Sequence, residues 1–275
     1  MLHKNKMSTS TQHIPENRTI NGINWIGVQT LIEKEVGRFF KVYTQTIIAP
    51  VVTTLLFYTV FALAFGGVAR SVGDVPYLQF LAPGLLMMNM VQNAFANTSS
   101  SLIIAKIQGN IVDLLMPPLS PAELLAGFII GGIFRGLMVG LAAGVIIAFF
   151  VPLHIYNIGT LVLYAVLGTM MLSLLGIAGG IWAQKFDHIA AVTNFIITPL
   201  TFLSGTFYAM STLPGMWKVL GFYNPFFYMI DGFRYSFIGH AEGSIMLGLI
   251  QLFVINVLLV VLCHWMLKSG YKIKA

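Results

Sequence analysis

Six stretches of this chain, at roughly 45–69, 77–97, 122–150, 159–182, 189–208 and 245–267, are apolar over a length that matters. Each meets or approaches the about 20 residues that a helix needs to cross a bilayer core. Backbone polar groups in hydrocarbon must be satisfied within the segment, so each run reads as a spanning helix. Charged residues make up only 9% of the 275 positions, against about 25% in a soluble domain. Apolar runs and short connections consume nearly all of the length, which leaves no room for a separate soluble domain of about 100 residues. The expected fold is therefore an all-α integral membrane protein with six transmembrane helices. Residues 21–275 form one membrane domain, and residues 1–20 form a disordered cytoplasmic tail. The tail is polar, holds Lys4, Lys6 and Arg18, and has neither the apolar core nor the small-residue cleavage site of a signal peptide.

Six crossings return the chain to its starting side, so both termini share a compartment. Eleven Lys or Arg fall on that side, in the N-terminal region, near 106, near 185 and in the C-terminal tail, whereas Arg70, Lys218 and Arg234 fall on the other. The positive-inside rule makes the termini cytoplasmic. The net charge of +6 does not point to nucleic acid, because the basic residues flank spans and do not cluster with stacking aromatics on one module. A single cysteine, Cys263, lies in the last run; it excludes an intramolecular disulfide and reads as a small core hydrophobe.

Three segments between the runs are too polar to span. In Gly22 to Tyr43, Trp25, Val28, Ile32, Val36, Phe39 and Tyr43 recur every three or four residues. This predicts an amphipathic helix lying in the head-group region, with packing against a soluble domain as the alternative. The segment from Lys106 to Glu123 predicts about two helical turns over Ile107–Leu115, stopped by Pro117 and Pro118. Ile111, Leu114 and Leu115 line one side of it, with Asp113 beside them, which suits a docking element; a plain solvated loop is the alternative. Ala209 to Gly243 is broken by Pro214, Asn224 and Pro225 yet rich in Phe and Tyr. It predicts two short helices, at about 213–222 and 225–238, dipping into the outer leaflet as a re-entrant pair.

Within the runs, Gly132, Gly136, Gly140 and Gly144 recur every fourth residue. They serve either close helix packing within the subunit or a surface that slides during transport. Arg135 beside them either snorkels toward lipid phosphate or contacts a substrate. Asn89, Asn93 and Asn97, with Gln92, form a polar stripe that either bonds between helices or lines a wet path. Pro50, Pro83 and Pro199 mark kinks.

No Gly-Lys dipeptide occurs, so a Walker A loop is absent. The histidines, at 3, 13, 154, 188, 240 and 264, have no HExxH pattern and no cysteine partners, which argues against a metal. Ser173 and Ser204 lie in runs without a base at their level, and no acid lies well inside a span. An intramembrane enzyme and a proton-driven transporter both lose support.

The order of these parts resembles the type-2 family of ABC exporter permeases. It is carried by an amphipathic helix, two spans, a cytoplasmic segment ending LLMPPLSPAELLAG, three spans and an outer NPFFYMIDGFRYSF before the last span, with FLAPGLLMMNMVQNAFAN as a further family-like stretch. The likeness is to the bacterial drug, lipo-oligosaccharide and polysaccharide exporters. It implies a homodimer in the inner membrane with two copies of a separate ATPase subunit, which binds the ATP and Mg while this chain binds no cofactor. It further implies ATPase coupling through Gln108, Ile111, Asp113, Leu114, Leu115 and Pro117, with Glu33, Glu35 and Arg38 as flanking contacts. The translocation path would run by Tyr43, Tyr58, Asn89, Asn93, Asn97, Thr198, Phe202 and Tyr208. An outer re-entrant gate would include Asn224, Pro225, Asp231 and Arg234. A membrane-embedded enzyme acting on lipid or glycolipid, and an assembly scaffold, are the other readings.

Overall fold

The computed structural model describes residues 22–65, 71–72 and 75–273. The expected disordered tail at 1–20 and the outer placement of Arg70 lie outside the described residues. The chain opens with α1 (Trp25–Lys41), capped by the Asn24 side chain, which accepts from the Gly27 N–H. A π-helical turn at Thr44–Ile48 leads into α2 (Ala49–Phe65). A two-residue antiparallel pair, β1 (Ser71–Val72) with β2 (Val75–Pro76), precedes the 31-residue α3 (Tyr77–Ile107). Then follow α4 (Ile111–Leu115), α5 (Pro121–Ile147) and α6 (Ile158–Trp182). A broken rod consists of α7 (Phe186–Val192), a second π turn at Thr193–Ile197 and α8 (Thr198–Phe202). Two shorter helices, α9 (Gly215–Tyr223) and α10 (Pro225–Ile238), precede α11 (Ile245–Ser269).

Among the described residues four helical stretches are long and apolar enough to cross a membrane: Thr44–Phe65, Pro121–Ile147, Ile158–Trp182 and Ile245–Ser269. Two of the expected six differ from that description. Helix α3 is long, but its amides and hydroxyls dilute its apolar character. The fifth run, expected to be helical to 208, ends at Phe202. There the Ser204 and Thr206 hydroxyls both donate to the Thr201 carbonyl, and Gly205 turns the chain at φ +73°. Side-chain donors competing for helix carbonyls are a physical reason to stop early.

Helix α3 is the axis of the fold, sandwiched between α5 and α6 and touched also by α2 and α10. Glycine makes the sandwich close. A Cβ at Gly136 would stand 2.8 Å from the Met90 carbonyl oxygen, and one at Gly176 would stand 2.6 Å from that of Phe95. On α5, Gly132 likewise packs on Thr98 and Ser173, and Gly140 on the Met90 side chain. Within this chain, three of the four glycines in the α5 stripe therefore serve helix packing.

Helices α9 and α10 fall within two residues of the expected bounds. Asn224 makes the turn, its side-chain oxygen accepting from the Phe226 N–H while its amide donates to the Leu200 carbonyl at 2.8 Å. The segment after α3 differs from its expected form. That helix runs on through Lys106 and Ile107 and breaks at Gly109, φ +74°, so a single turn, α4, remains where two were expected. Helix α1 is also rotated from the expected face. Val28, Leu31, Glu35 and Phe39 are buried, while Trp25 and Tyr43 are exposed.

Candidate functional site

Two constructions stand out, an elbow at one end of the helices and a polar groove in their midst. The elbow starts where the Lys106 ammonium donates to the Ile181 carbonyl and, at 3.0 Å, to that of Ala183, tying the end of α3 to the end of α6. Burial, aided by neighbouring Lys272, pushes this lysine down to about 8. The elbow closes at a capping box. Ser120 accepts from the Glu123 N–H, and Glu123 accepts from the N–H groups of Ser120 and, at 2.5 Å, of Asn24. The start of α1 is thereby latched to the start of α5.

Between these anchors α4 turns Ile111 and Leu114 inward, into the apolar cluster that includes Leu31, Leu102, Leu124 and Leu125. The expected apolar docking stripe is thus partly the chain's own core. The outward face is Val112, Leu115 and Met116, the last 74% exposed, with Gln108, Asp113 and Pro117 also exposed. On α1, Glu33 faces solvent and accepts from Gln29 at 2.8 Å.

Glu35 and Arg38, expected as flanking contacts, bond to α3 within this chain. Glu35 is 1% exposed, pairs with Arg38 at 3.1 Å and accepts from the Ser101 hydroxyl at 2.6 Å. Gly131 on α5 leaves room for it, since a Cβ there would sit 2.7 Å from that of Glu35. Arg38 donates to the Asn97 carbonyl at 2.7 Å, the Asn97 side chain at 3.0 Å and the Ser100 hydroxyl at 3.1 Å. The pair fastens α1 to α3.

The groove lies deeper. Arg135 donates to Asn93 Oδ1 at 3.1 Å, Asn93 to Asn89 Oδ1 at 2.7 Å, and Asn89 to Thr54 Oγ1 at 2.7 Å and the Pro50 carbonyl at 3.3 Å. A ladder of amides thus joins α5, α3 and α2. Arg135 is buried against an amide and does not snorkel. Above the ladder a groove of about 300 Å³ runs between α2 and α3, lined by Gln45, Thr53, Phe57, Met88, Asn89 and Gln92 among others. Within the amide stripe, Asn89 bonds to α2 and Asn93 to α5, and Asn89, Gln92 and Asn93 border this groove.

Of the eight path candidates, Asn89 and Asn93 line this groove. Asn97 is sequestered by Arg38, and Tyr43 is exposed at the α1–α2 junction. Tyr58 is buried. Thr198 is half-buried at the start of α8. Phe202 and Tyr208 belong to another cluster, in which Phe207 stacks on Phe202 (centroids 5.0 Å) and on Phe61 (4.5 Å), and Tyr208 donates to the Phe202 carbonyl at 3.3 Å.

At the opposite end from the elbow, Arg234 is buried with its guanidinium 3.7 Å from the Phe80 ring centroid, donating to the carbonyls of Phe80 (3.2 Å) and Gly205 (2.7 Å). One turn earlier, Asp231 accepts from the N–H groups of Glu242 and Gly243. Burial pushes the Asp231 carboxyl up, and Arg234 and those N–H groups oppose this. Asp231 and Arg234 border a cavity of about 400 Å³ shared with His240 and Glu242. Asn224 and Pro225 stand apart from it, at the turn between α9 and α10.

A sequence profile of the ABC-2 type transporter family matches residues 27–238. The chain belongs to that family. The groove, the α9–α10 pair and all of the elbow except Asn24 lie within the match. The inner membrane transport permease YadH of Escherichia coli is 36% identical over 251 residues, which cover 91% of this chain and 98% of that protein. The daunorubicin resistance ABC transporter permease protein DrrB1 of Streptomyces coeruleorubidus is 27% identical over 68% of this chain and 66% of its own. Nodulation protein J of Rhizobium leguminosarum is 21% identical over 85% and 90%. This ABC-2 permease is a multi-pass inner-membrane protein, the membrane subunit of an ABC exporter.

One pair of features in the permease escaped the reading of the sequence. Thr44–Pro50 and Thr193–Pro199 share the pattern Thr-x-x-Ile-Ile-x-Pro, and each places a π turn immediately before its proline. The repeat was visible as text. Its meaning required the backbone.

Proposed function

We propose that this permease works as a homodimer with two copies of a separate ATPase subunit, which supplies the ATP and Mg, and exports an amphipathic substrate across the inner membrane. In this reading the chain crosses six times, with α3 and the α7–α8 rod adding to the four apolar helices, and both termini are cytoplasmic. Elongated α3 tolerates its amides because they bond inward, and the short rod is lengthened by the turn after Phe202. Residues 22–43 rest along the cytoplasmic face. The ATPase docks on the elbow through Val112, Asp113, Leu115 and Met116, with Gln108, Pro117 and Glu33 at the rim. Ile111, Leu114, Glu35 and Arg38 act from behind, holding α4 and α1 in place.

The observation that carries the reading is the exposed apolar face of α4, a single turn held at both ends by hydrogen bonds. A turn in water gains nothing by presenting Val112, Leu115 and Met116 together; a partner cleft does. The substrate path uses the groove of Asn89, Gln92 and Asn93 and the aromatic cluster at Phe207. Rings and amides suit a molecule with an apolar body and polar groups, a class that includes drugs, lipids and lipid-linked glycans. The name of the daunorubicin resistance relative favours the first. The outer pair α9 and α10 closes the exit, pinned by Asp231 and Arg234.

The test is co-expression with the cognate ATPase and purification through a tag on the permease. Asp113→Arg and Leu115→Asp should lower co-purification and ATP turnover at least tenfold while leaving the permease monodisperse. Unchanged turnover in both variants would remove the elbow from the interface.

A further inference from the structure

Away from the amide groove, two cavities join end to end on the far side of α3. The larger, about 540 Å³, is an open trough between α5, α6 and α10, floored by Gly140 and Gly144 and walled by Leu86, Phe134, Val145 and Phe237. Among the described residues, no ionisable side chain lines it. From Phe134 to Ala148 it follows about 14 residues of α5, or about 21 Å at the helical rise. It shares Leu153 and Phe237 with a second cavity of about 250 Å³ that is lined by Gln79 and His154. Around that junction Phe149, Phe150 and Tyr156 are exposed, and the Tyr156 and Tyr235 rings meet edge to face at 5.6 Å. Aromatic residues gather where a spanning helix leaves hydrocarbon for head groups.

A trough of this kind cannot stay empty inside a bilayer. Unfilled apolar walls forfeit their dispersion contacts, and water has no polar partners there. Its occupant must be apolar along the trough and polar at one end. We propose that the trough is a phospholipid site, in which one acyl chain of a bilayer lipid lies along Gly140 and Gly144 and its head group rests beside Gln79 and His154. Glycine at 144 is what keeps the trough open: a Cβ there would meet only Leu86, at 3.7 Å, an ordinary contact. The site rests on α5 and α6 crossing the membrane. It does not depend on the ATPase, the cargo or the direction of transport.

The same clearance supplies the test. Gly144→Leu fills the trough without displacing backbone, and Gly144→Ala leaves most of it open. The permease alone would be reconstituted in phosphatidylethanolamine and phosphatidylglycerol containing chain-labelled doxyl phosphatidylglycerol, and motionally restricted lipid counted by electron paramagnetic resonance. Wild type and Gly144→Ala should hold one more restricted lipid per chain than Gly144→Leu. His154→Ala should release that lipid at lower detergent concentration. If Gly144→Leu does not give monodisperse protein, Val145→Trp, on the exposed rim, closes the trough from outside and should give the same loss. Equal counts in wild type and the filled variant would overturn the proposal. A restricted component that appears only on adding a transported drug would overturn it in favour of a cargo site.

Discussion

Glu35→Ala should be among the most damaging single changes on α1, although its helix position reads as a solvated face. Its carboxylate is 1% exposed, holds Arg38 at 3.1 Å and accepts from Ser101 at 2.6 Å. Removing it leaves the Arg38 guanidinium bonded to Asn97 and Ser100 but without an anion. Losing one partner of a buried pair costs about 3–5 kcal/mol. Arg38 keeps 29% of its side-chain exposure, so water recovers part of the loss and the low end, about 3 kcal/mol, applies. For a chain of this size that corresponds to roughly 6 °C or more in apparent Tm. The assay is thermal unfolding in a fixed lipid or detergent, run as a cycle with Arg38→Met and the double variant. Arg38→Met alone strands the carboxylate and should cost a comparable amount. The double variant, which strands no charge, should recover at least about 1 kcal/mol of the summed loss. If the two effects simply add, with coupling below about 0.5 kcal/mol, the pair does not fasten α1 and the reasoning fails.

Other outcomes follow from single contacts. Gly176→Ala would drive a methyl to 2.6 Å from the Phe95 carbonyl and should cost about 1–3 kcal/mol or more, whereas Gly37→Ala, with open space around its Cβ, should be neutral or gain up to about 1 kcal/mol, both read by thermal unfolding. Lys106 sits at about 8 in the folded chain against 10.5 for the free side chain. Between those values the unfolded state binds more protons, so folding stability should rise with pH there, and Lys106→Met should lose that rise in thermal scans from pH 8 to 10. Asn89→Leu removes the acceptor for Asn93 and the donor to Thr54. It should cost about 1–3 kcal/mol in thermal unfolding and lower substrate-stimulated ATP hydrolysis more than basal hydrolysis.

The features legible in the sequence were those fixed by local physics. Run length and polarity located the long helices, and Asn224-Pro225 located the turn between α9 and α10 because that dipeptide acts on its own backbone. What stayed hidden depends on a neighbour. Glu35 reads as a surface charge until Gly131 on another helix makes room for it and Ser101 and Arg38 satisfy it. Ile111 and Leu114 read as a docking stripe, but which side of α4 faces out is set by the latch from Asn24 to Glu123. The fifth run reads as helical to 208, but its helix ends where the Ser204 and Thr206 hydroxyls fold back onto Thr201 and Gly205 turns the chain. Among the path candidates, Asn89 and Asn93 border the groove while Asn97 on the same helix is held by Arg38, and of the fifth-run residues Phe202 and Tyr208, but not Thr198, lie in a separate aromatic cluster.

The two Thr-x-x-Ile-Ile-x-Pro segments allow the division between local and tertiary causes to be tested. Both π turns close with the N–H of the residue before proline donating five residues back, Ala49 to Thr44 and Thr198 to Thr193. A proline ring in a regular helix collides with the carbonyl four residues earlier, here those of Thr46 and Phe195. Widening the ladder just ahead of the ring relieves that contact. The two segments lie in different surroundings, since Thr46 is buried and Phe195 is 81% exposed, so the shared turn follows from the shared sequence. Pro199→Ala should then restore a regular α-helix and remove one residue's worth of bulge, turning the α7 side by about 100° relative to α8. Single cysteines along residues 186–196, labelled from the water phase, should report an accessibility pattern shifted by one position. An unchanged pattern in Pro199→Ala would mean that packing, and not the proline, holds the turn. Such widened turns occur mostly at functional sites, and these two stand in helices that border the groove and the aromatic cluster. A shifted pattern accompanied by lost transport would make the prolines part of the moving machinery.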